Sequence, residues 1–320
     1  MALKDVAGKD FYIGAGSNNS LLQWDDREGE TIAREFNLLT PHNEFKIKSV
    51  MPSRGDFNYE RADSIVDFAR QNSLALRGTN LMWRLEIPHW VAALSTKDTR
   101  STLEEYITET LKRYEDSVAV WDVACEMINA NGTWVKTHWR QSLGSGYILD
   151  AFRIARKANP NAKLFYSDFG WHNESKQRAF FKLVEELRST GTGIDGVAIQ
   201  MHHTLQGTLR LLWLEPFLRR LKELGLEVHF SEVTLWADHR LPWELVKEVQ
   251  AAAYGKLLYM ALKCGVNVFC IWGVSDQYAW RRREEKPFLF DADYKPKPAY
   301  FAVNNVLREW RGSKGEMFPA

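Results

Sequence analysis

Cysteine is scarce in this 320-residue chain: Cys125, Cys264 and Cys270 form no CxxC pair and keep no metal-ligand spacing. Cys264 and Cys270 read as lying on one strand, where roughly 20 Å of extended backbone would separate them, so no disulfide is expected. An excess of either charge is also missing. Lys+Arg 42 against Asp+Glu 41 leaves a formal charge of +1, and the one basic run, Arg281-Arg282-Arg283, is followed at once by Glu284-Glu285. That balance excludes a nucleic-acid binder or a protein drawn to anionic membrane surfaces. No apolar run approaches the length of a transmembrane helix. The first ten residues, Met-Ala-Leu-Lys-Asp-Val-Ala-Gly-Lys-Asp, hold no signal-peptide core. The protein is therefore expected either to stay inside the cell or to be secreted or periplasmic after loss of a leader.

Tryptophan is abundant, with 13 residues. About half should fill the core. The others offer flat apolar faces with one polar edge, which suit stacking against sugar rings. Along the chain, strand-like and helix-like runs alternate. Phe11–Gly16 reads as a strand, Thr31–Phe36 as a short helix, and Leu38–Pro41 as a strand. Ala62, Ile65, Val66, Phe68 and Ala69 share a helical face, and Leu74–Gly78 is the next strand. Thr102–Tyr114, Tyr147–Ala158 and Lys176–Leu187 read as helices between strands Ser117–Glu126, Ala162–Ser167 and Ile194–Gln200. A helix opening near Pro216 and closed by Gly225 precedes strand Leu226–Glu232. Helix Trp243–Lys263, strand Val266–Trp272 and helix Ala299–Arg308 follow. About eight strands alternate with as many helices, without a low-complexity linker or a break in composition. The expected fold is α/β: a single (β/α)8 barrel over residues 1–320, preferred to two doubly wound domains.

Two of these strands end in glutamate. Val120-Trp121-Asp122-Val123-Ala124-Cys125-Glu126 leads into a loop, Met-Ile-Asn-Ala-Asn-Gly, and Val228-His229-Phe230-Ser231 leads into Glu232. Either residue alone would suit a structural ion pair. Together, at the tips of barrel strands where such folds carry their chemistry, they suggest the carboxylate pair of a glycosidase.

These segments resemble glycoside hydrolase family 10, the retaining endo-β-1,4-xylanases, over nearly the whole chain. Thr40-Pro41-His42-Asn43-Glu44-Phe45-Lys46 is similar to the family's T-P-E-N-E-M-K, and Arg77 to Trp83 to R-G-H-T-L-V-W. Trp121–Glu126 is similar to W-D-V-V-N-E, and Phe230–Thr234 to I-T-E-L-D. Trp272–Asp276, Trp280-Arg281 and Asp291–Tyr300 resemble the closing segment. The resemblance implies Glu126 as acid/base, Glu232 as nucleophile and His202 as the residue that orients the nucleophile. Their carboxyl groups should then lie roughly 5–5.5 Å apart, at the ends of the fourth and seventh strands. Asn43, Lys46, Trp83, Gln200, Trp272 and Trp280 match sugar-contacting or supporting positions. Thr79 and Cys125 fall at substrate-binding positions with altered chemistry.

The departures bear on specificity. Cys125 replaces the Asn that reads the 2-hydroxyl, Thr79 replaces a sugar-binding His, His42 replaces a Glu, and Thr234 replaces the Asp that partners the histidine. The N-D-Y-N-like segment reads Ser167-Asp168-Phe169-Gly170. Three functions are open: a xylanase, the same mechanism on a different or decorated β-glycan, and a non-catalytic sugar-binding relative. Retention of both glutamates favours the first two. The implied partner is a polysaccharide or oligosaccharide handled by a monomer. No metal, cofactor, nucleic acid or membrane is implied.

Overall fold

A computed structural model describes residues 1–208 and 211–313. Nine strand segments are present among them: β1 Tyr12–Ser17, β2 Leu38–Pro41, β3 Ala75–Gly78, β4 Met82–Trp83, β5 Val120–Cys125, β6 Lys163–Asp168, β7 Gly196–Thr204, β8 Glu227–Trp236 and β9 Val268–Ile271. Hydrogen bonds order them β3-β2-β1-β9-β8-β7-β6-β5-β4, and β3 also pairs with β5, which closes the sheet on itself. β3 and β4 are one strand interrupted at residues 79–81, so the closed ring has eight strands, joined by helices as in a (β/α)8 barrel. The helix expectations hold best where a proline marks a boundary. Tyr147–Ala158 ends before Asn159-Pro160, and Trp243–Lys263 starts after Pro242.

The backbone gathers into two compact units. The first comprises Met1–Thr40, Asn72–Leu74 and the chain from Ile199 onward; the second comprises Pro41–Gln71 and Ala75–Ala198. In the second unit, Gly78 is required by its neighbour, because a Cβ there would stand 2.1 Å from Cε3 of buried Trp121. Arg77 and Asp122 are fully buried and ion-paired, and the Arg77 guanidinium lies 4.9 Å from the Phe165 ring centroid. Charges removed from water in this way must find partners, or they cost several kcal/mol. Burial pushes the Asp122 carboxyl up, while Arg77 acts in the opposite sense.

In the first unit, Cys264 is not on a strand with Cys270. The helix runs to Lys263, Cys264 caps it, and Gly265 at φ +71 turns the chain before β9 begins at Val268. Buried Glu28, on helix Asp26–Glu35, accepts hydrogen bonds from Ser17 Oγ at 2.8 Å and Tyr294 Oη at 2.9 Å. Burial raises its pKa to about 7. The folded protein thus holds this proton more tightly than the unfolded chain. The resulting stability is fully present below about pH 4.5 and is lost as pH rises towards about 7. Glu28→Gln should flatten the fall in Tm across that window, read by thermal melts at half-unit pH steps. An unchanged slope would show that Glu28 does not set it.

Candidate active site

Glu126 leaves the tip of β5 with φ +59, a left-handed conformation uncommon for a residue with a side chain. Backbone and ring contacts hold it there. Its N–H donates to the Ser167 carbonyl at 2.9 Å, and the next N–H, of Met127, donates to Tyr166 Oη at 3.0 Å. Tyr166 in turn donates to Asp168 Oδ2 at 2.6 Å, and Asp168 also accepts from Lys176 Nζ at 2.7 Å and from the Phe169 N–H at 2.8 Å. Burial raises the Asp168 pKa to about 6 against the pull of Lys176. A register shift between Asp122 and Ala124, where β5 meets β6, places an extra residue just before this tip. Bulges of that kind re-aim side chains at barrel rims.

Thr79, Lys46, Asn43 and Trp83 belong to the same unit. Lys46 is nearly buried; its Nζ donates to Asn43 Oδ1 at 2.9 Å and lies 4.0 Å from the Trp83 ring centroid. The Lys46 ammonium and burial together push His42 down to about 3, burial being the larger effect, so this ring is neutral where the family motif carries a carboxylate. Thr79 is buried and donates its hydroxyl to the Pro41 carbonyl at 2.5 Å, which commits its one proton to the backbone. Cys125 is buried in register with Trp83 on one side and Ser167 on the other. Asn80, passed over in the sequence, is buried with Oδ1 lacking a hydrogen-bond partner.

Glu232 corrects the sequence reading in one respect. It does not end its strand, because β8 continues through Val233 to Trp236 with every one of those residues buried. What singles it out is a register shift between Phe230 and Val233 against β9, a bulge that contains Glu232. His202 Nε2 lies 3.2 Å from Glu232 Oε2, and His202 Nδ1 lies 3.1 Å from Thr234 Oγ1. The carboxylate can only accept, so Nε2 carries the proton; in the neutral ring Nδ1 then accepts from the Thr234 hydroxyl. His202 also stacks on Trp236, with centroids 5.9 Å apart and planes at 22°, and Trp280 stands edge-on to both rings. Trp280 is 52% exposed, as a sugar platform would be, while Trp236 is buried. Gln200 lies buried on β7. Trp272 follows β9, its N–H bound to the Val233 carbonyl at 3.0 Å, and Gly273 allows the turn after it: at φ +151 a Cβ would meet the Phe288 ring at 2.3 Å.

Two residues, one in each unit, escaped the sequence. Arg84 donates from Nε to Glu126 Oε2 at 2.6 Å, and Trp236 forms one wall beside His202. Only the alternation of Glu232, Thr234 and Trp236 along one strand face pointed to the latter.

The family model for glycosyl hydrolase family 10 matches residues 2–306. The chain belongs to glycosyl hydrolase family 10. A β-1,4-xylanase of Dictyoglomus thermophilum is 32% identical over 324 residues, covering 94% of this chain and 90% of that protein. Endo-1,4-beta-xylanase A of Thermoanaerobacterium saccharolyticum is 30% identical over 313 residues, and there the match spans 92% of this chain but only 27% of the longer protein. Among solved structures, xylanase 10B of Thermotoga petrophila, crystallised with xylobiose, superposes with a TM-score of 0.92 at 29% identity, covering 97% of this chain and 98% of that one. Family 10 membership agrees with the closed eight-stranded parallel sheet. The expected barrel fold is therefore borne out.

Proposed function

We propose that this protein is a retaining glycoside hydrolase that cleaves β-1,4-xylan or a xylan-like β-glycan. Glu232 attacks the anomeric carbon while Glu126 gives its proton to the leaving oxygen; Glu126 then takes a proton from the water that releases the glycosyl-enzyme. Two carboxyl groups roughly 5–5.5 Å apart suffice for this double displacement, without metal or cofactor. The observation that carries the reading is the Thr234–His202–Glu232 chain of hydrogen bonds within a family 10 fold. In that chain His202 Nε2 donates to Glu232, which orients the attacking carboxylate. Family membership and the xylanase names of its relatives support the substrate class.

A second reading concerns specificity and rests on Thr79 and Cys125. With the Thr79 hydroxyl donated to Pro41, and a thiol that is a weak donor and acceptor at Cys125, the usual grip on the reacting sugar's hydroxyls is weakened. That contact strengthens in the transition state and supplies several kcal/mol in this mechanism. Undecorated xylan is therefore expected to be a poor substrate, and a sugar or substituent that fills the space a better one. Release of reducing ends from a panel of polysaccharides tests the first proposal, and no release from any β-glycan would refute it. For the second, Cys125→Asn should raise kcat/KM on linear xylo-oligosaccharides by roughly tenfold or more, at least the worth of one good hydrogen bond. A wild type already fast on these substrates and slowed by the Asn would remove it.

A further inference from the structure

Arg84 stands at the acid/base, just past the end of β4. Its side chain is about one-third exposed at 32%, and its Cζ lies 5.7 Å from the ring centroid of Phe169, itself 39% exposed. A second cation, Lys176, lies 4.9 Å from the same ring, but it is buried and neutralised by Asp168 at 2.7 Å. The only anionic partner of Arg84 among the described residues is Glu126.

That pairing creates a charge problem within the catalytic cycle. When Glu126 carries the proton it must donate, Arg84 has no counter-charge, although four of its five N–H donors are still unused by that carboxyl. Its planar fork suits a carboxylate better than a sugar hydroxyl. A general acid must also stand within hydrogen-bond reach of the leaving oxygen. A group held by Arg84 is therefore close to the bond being cleaved.

We propose that Arg84 is a specificity-determining residue that selects glycans bearing a carboxylate, such as a uronic acid substituent, beside the scissile bond. The substrate carboxylate takes over the guanidinium when Glu126 is neutral. Arg84 returns to Glu126 once the proton has been delivered and the acid has become an anion. The inference rests on Glu126 being the acid/base and adds to it the charge of the preferred substrate.

The test compares a xylo-oligosaccharide carrying one uronic acid substituent with the same molecule after its carboxyl has been reduced to the alcohol, so that size and linkage are matched. Wild-type kcat/KM should favour the acidic form by roughly tenfold or more, the scale of a charge-assisted hydrogen bond. Arg84→Gln should bring the ratio close to one, chiefly by slowing the acidic substrate. A wild-type ratio near one overturns the proposal, and so does a ratio that survives Arg84→Gln. Equal loss on both substrates would make Arg84 a residue that merely positions Glu126. An aryl β-xyloside with an activated leaving group, measured in parallel, separates the levels. If it is cleaved while the ratio is flat, the hydrolase stands and only this inference falls; if it is not cleaved, the hydrolase reading itself has failed.

Discussion

Replacing Glu232 with alanine is expected to reduce turnover by roughly 10⁵-fold or more on every substrate, activated aryl glycosides included, because no second group can form the glycosyl-enzyme. The fold should survive. The residue is 6% exposed, and His202, which would lose its acceptor, keeps the Thr234 contact and the stack on Trp236. The measurement pairs kcat with a thermal melt, so that lost chemistry is not confused with lost structure. Wild type incubated with a fluorinated glycoside that deglycosylates slowly should carry the sugar on the peptide containing Glu232. Activity of the alanine variant within about tenfold of wild type would withdraw Glu232 as nucleophile, since that is the scale of one ordinary hydrogen bond rather than of a missing nucleophile.

How much of this was legible beforehand depends on the range of each interaction. Local signals were readable. The Asn-Pro after Ala158 stops one helix and Pro242 starts another, and both fall at the residues expected. Glu126 was found because a β-branched run breaks into a loop directly after it. Glu232 was identified as a site residue, but its strand was ended too early: Val233, Leu235 and Trp236 continue the buried pattern, and the bulge that singles out the Glu has no sequence signature. Cys264 reads as part of the Cys270 strand from spacing alone, whereas Gly265, at φ +71, turns the chain directly after it and separates the helix end from β9. Arg84 was missed for a different reason. Its partner lies 42 residues away along the chain, and an ion pair at that separation depends on which strands become neighbours, here β4 and β5. Trp236 falls in the same class: its value lies in the ring contacts with His202 and Trp280, which only the fold brings together.

Glu126→Ala should behave differently from Glu232→Ala, and the difference tests the division of roles. Xylo-oligosaccharides have poor leaving groups and need the proton, so their kcat/KM is expected to fall by roughly 10²–10⁴-fold. An aryl xyloside whose phenolate leaves unaided should keep most of its kcat/KM, which reports formation of the glycosyl-enzyme. Its kcat should nevertheless fall, because the water of the second step has lost its base, and a burst of phenol should precede the slow steady state. Azide needs no base, so it should restore kcat by attacking the glycosyl-enzyme and leaving as the glycosyl azide. The structure adds a reason for that rescue: removal of the carboxylate frees the Arg84 guanidinium, which held Glu126 at 2.6 Å, to attract an anion into the vacated space. Arg84→Gln in the Glu126→Ala background should therefore raise the azide concentration needed for half-maximal rescue. Equal proportional losses on the oligosaccharide and the activated aryl glycoside, with no burst and no azide effect, would assign Glu126 a structural part in place of the acid/base.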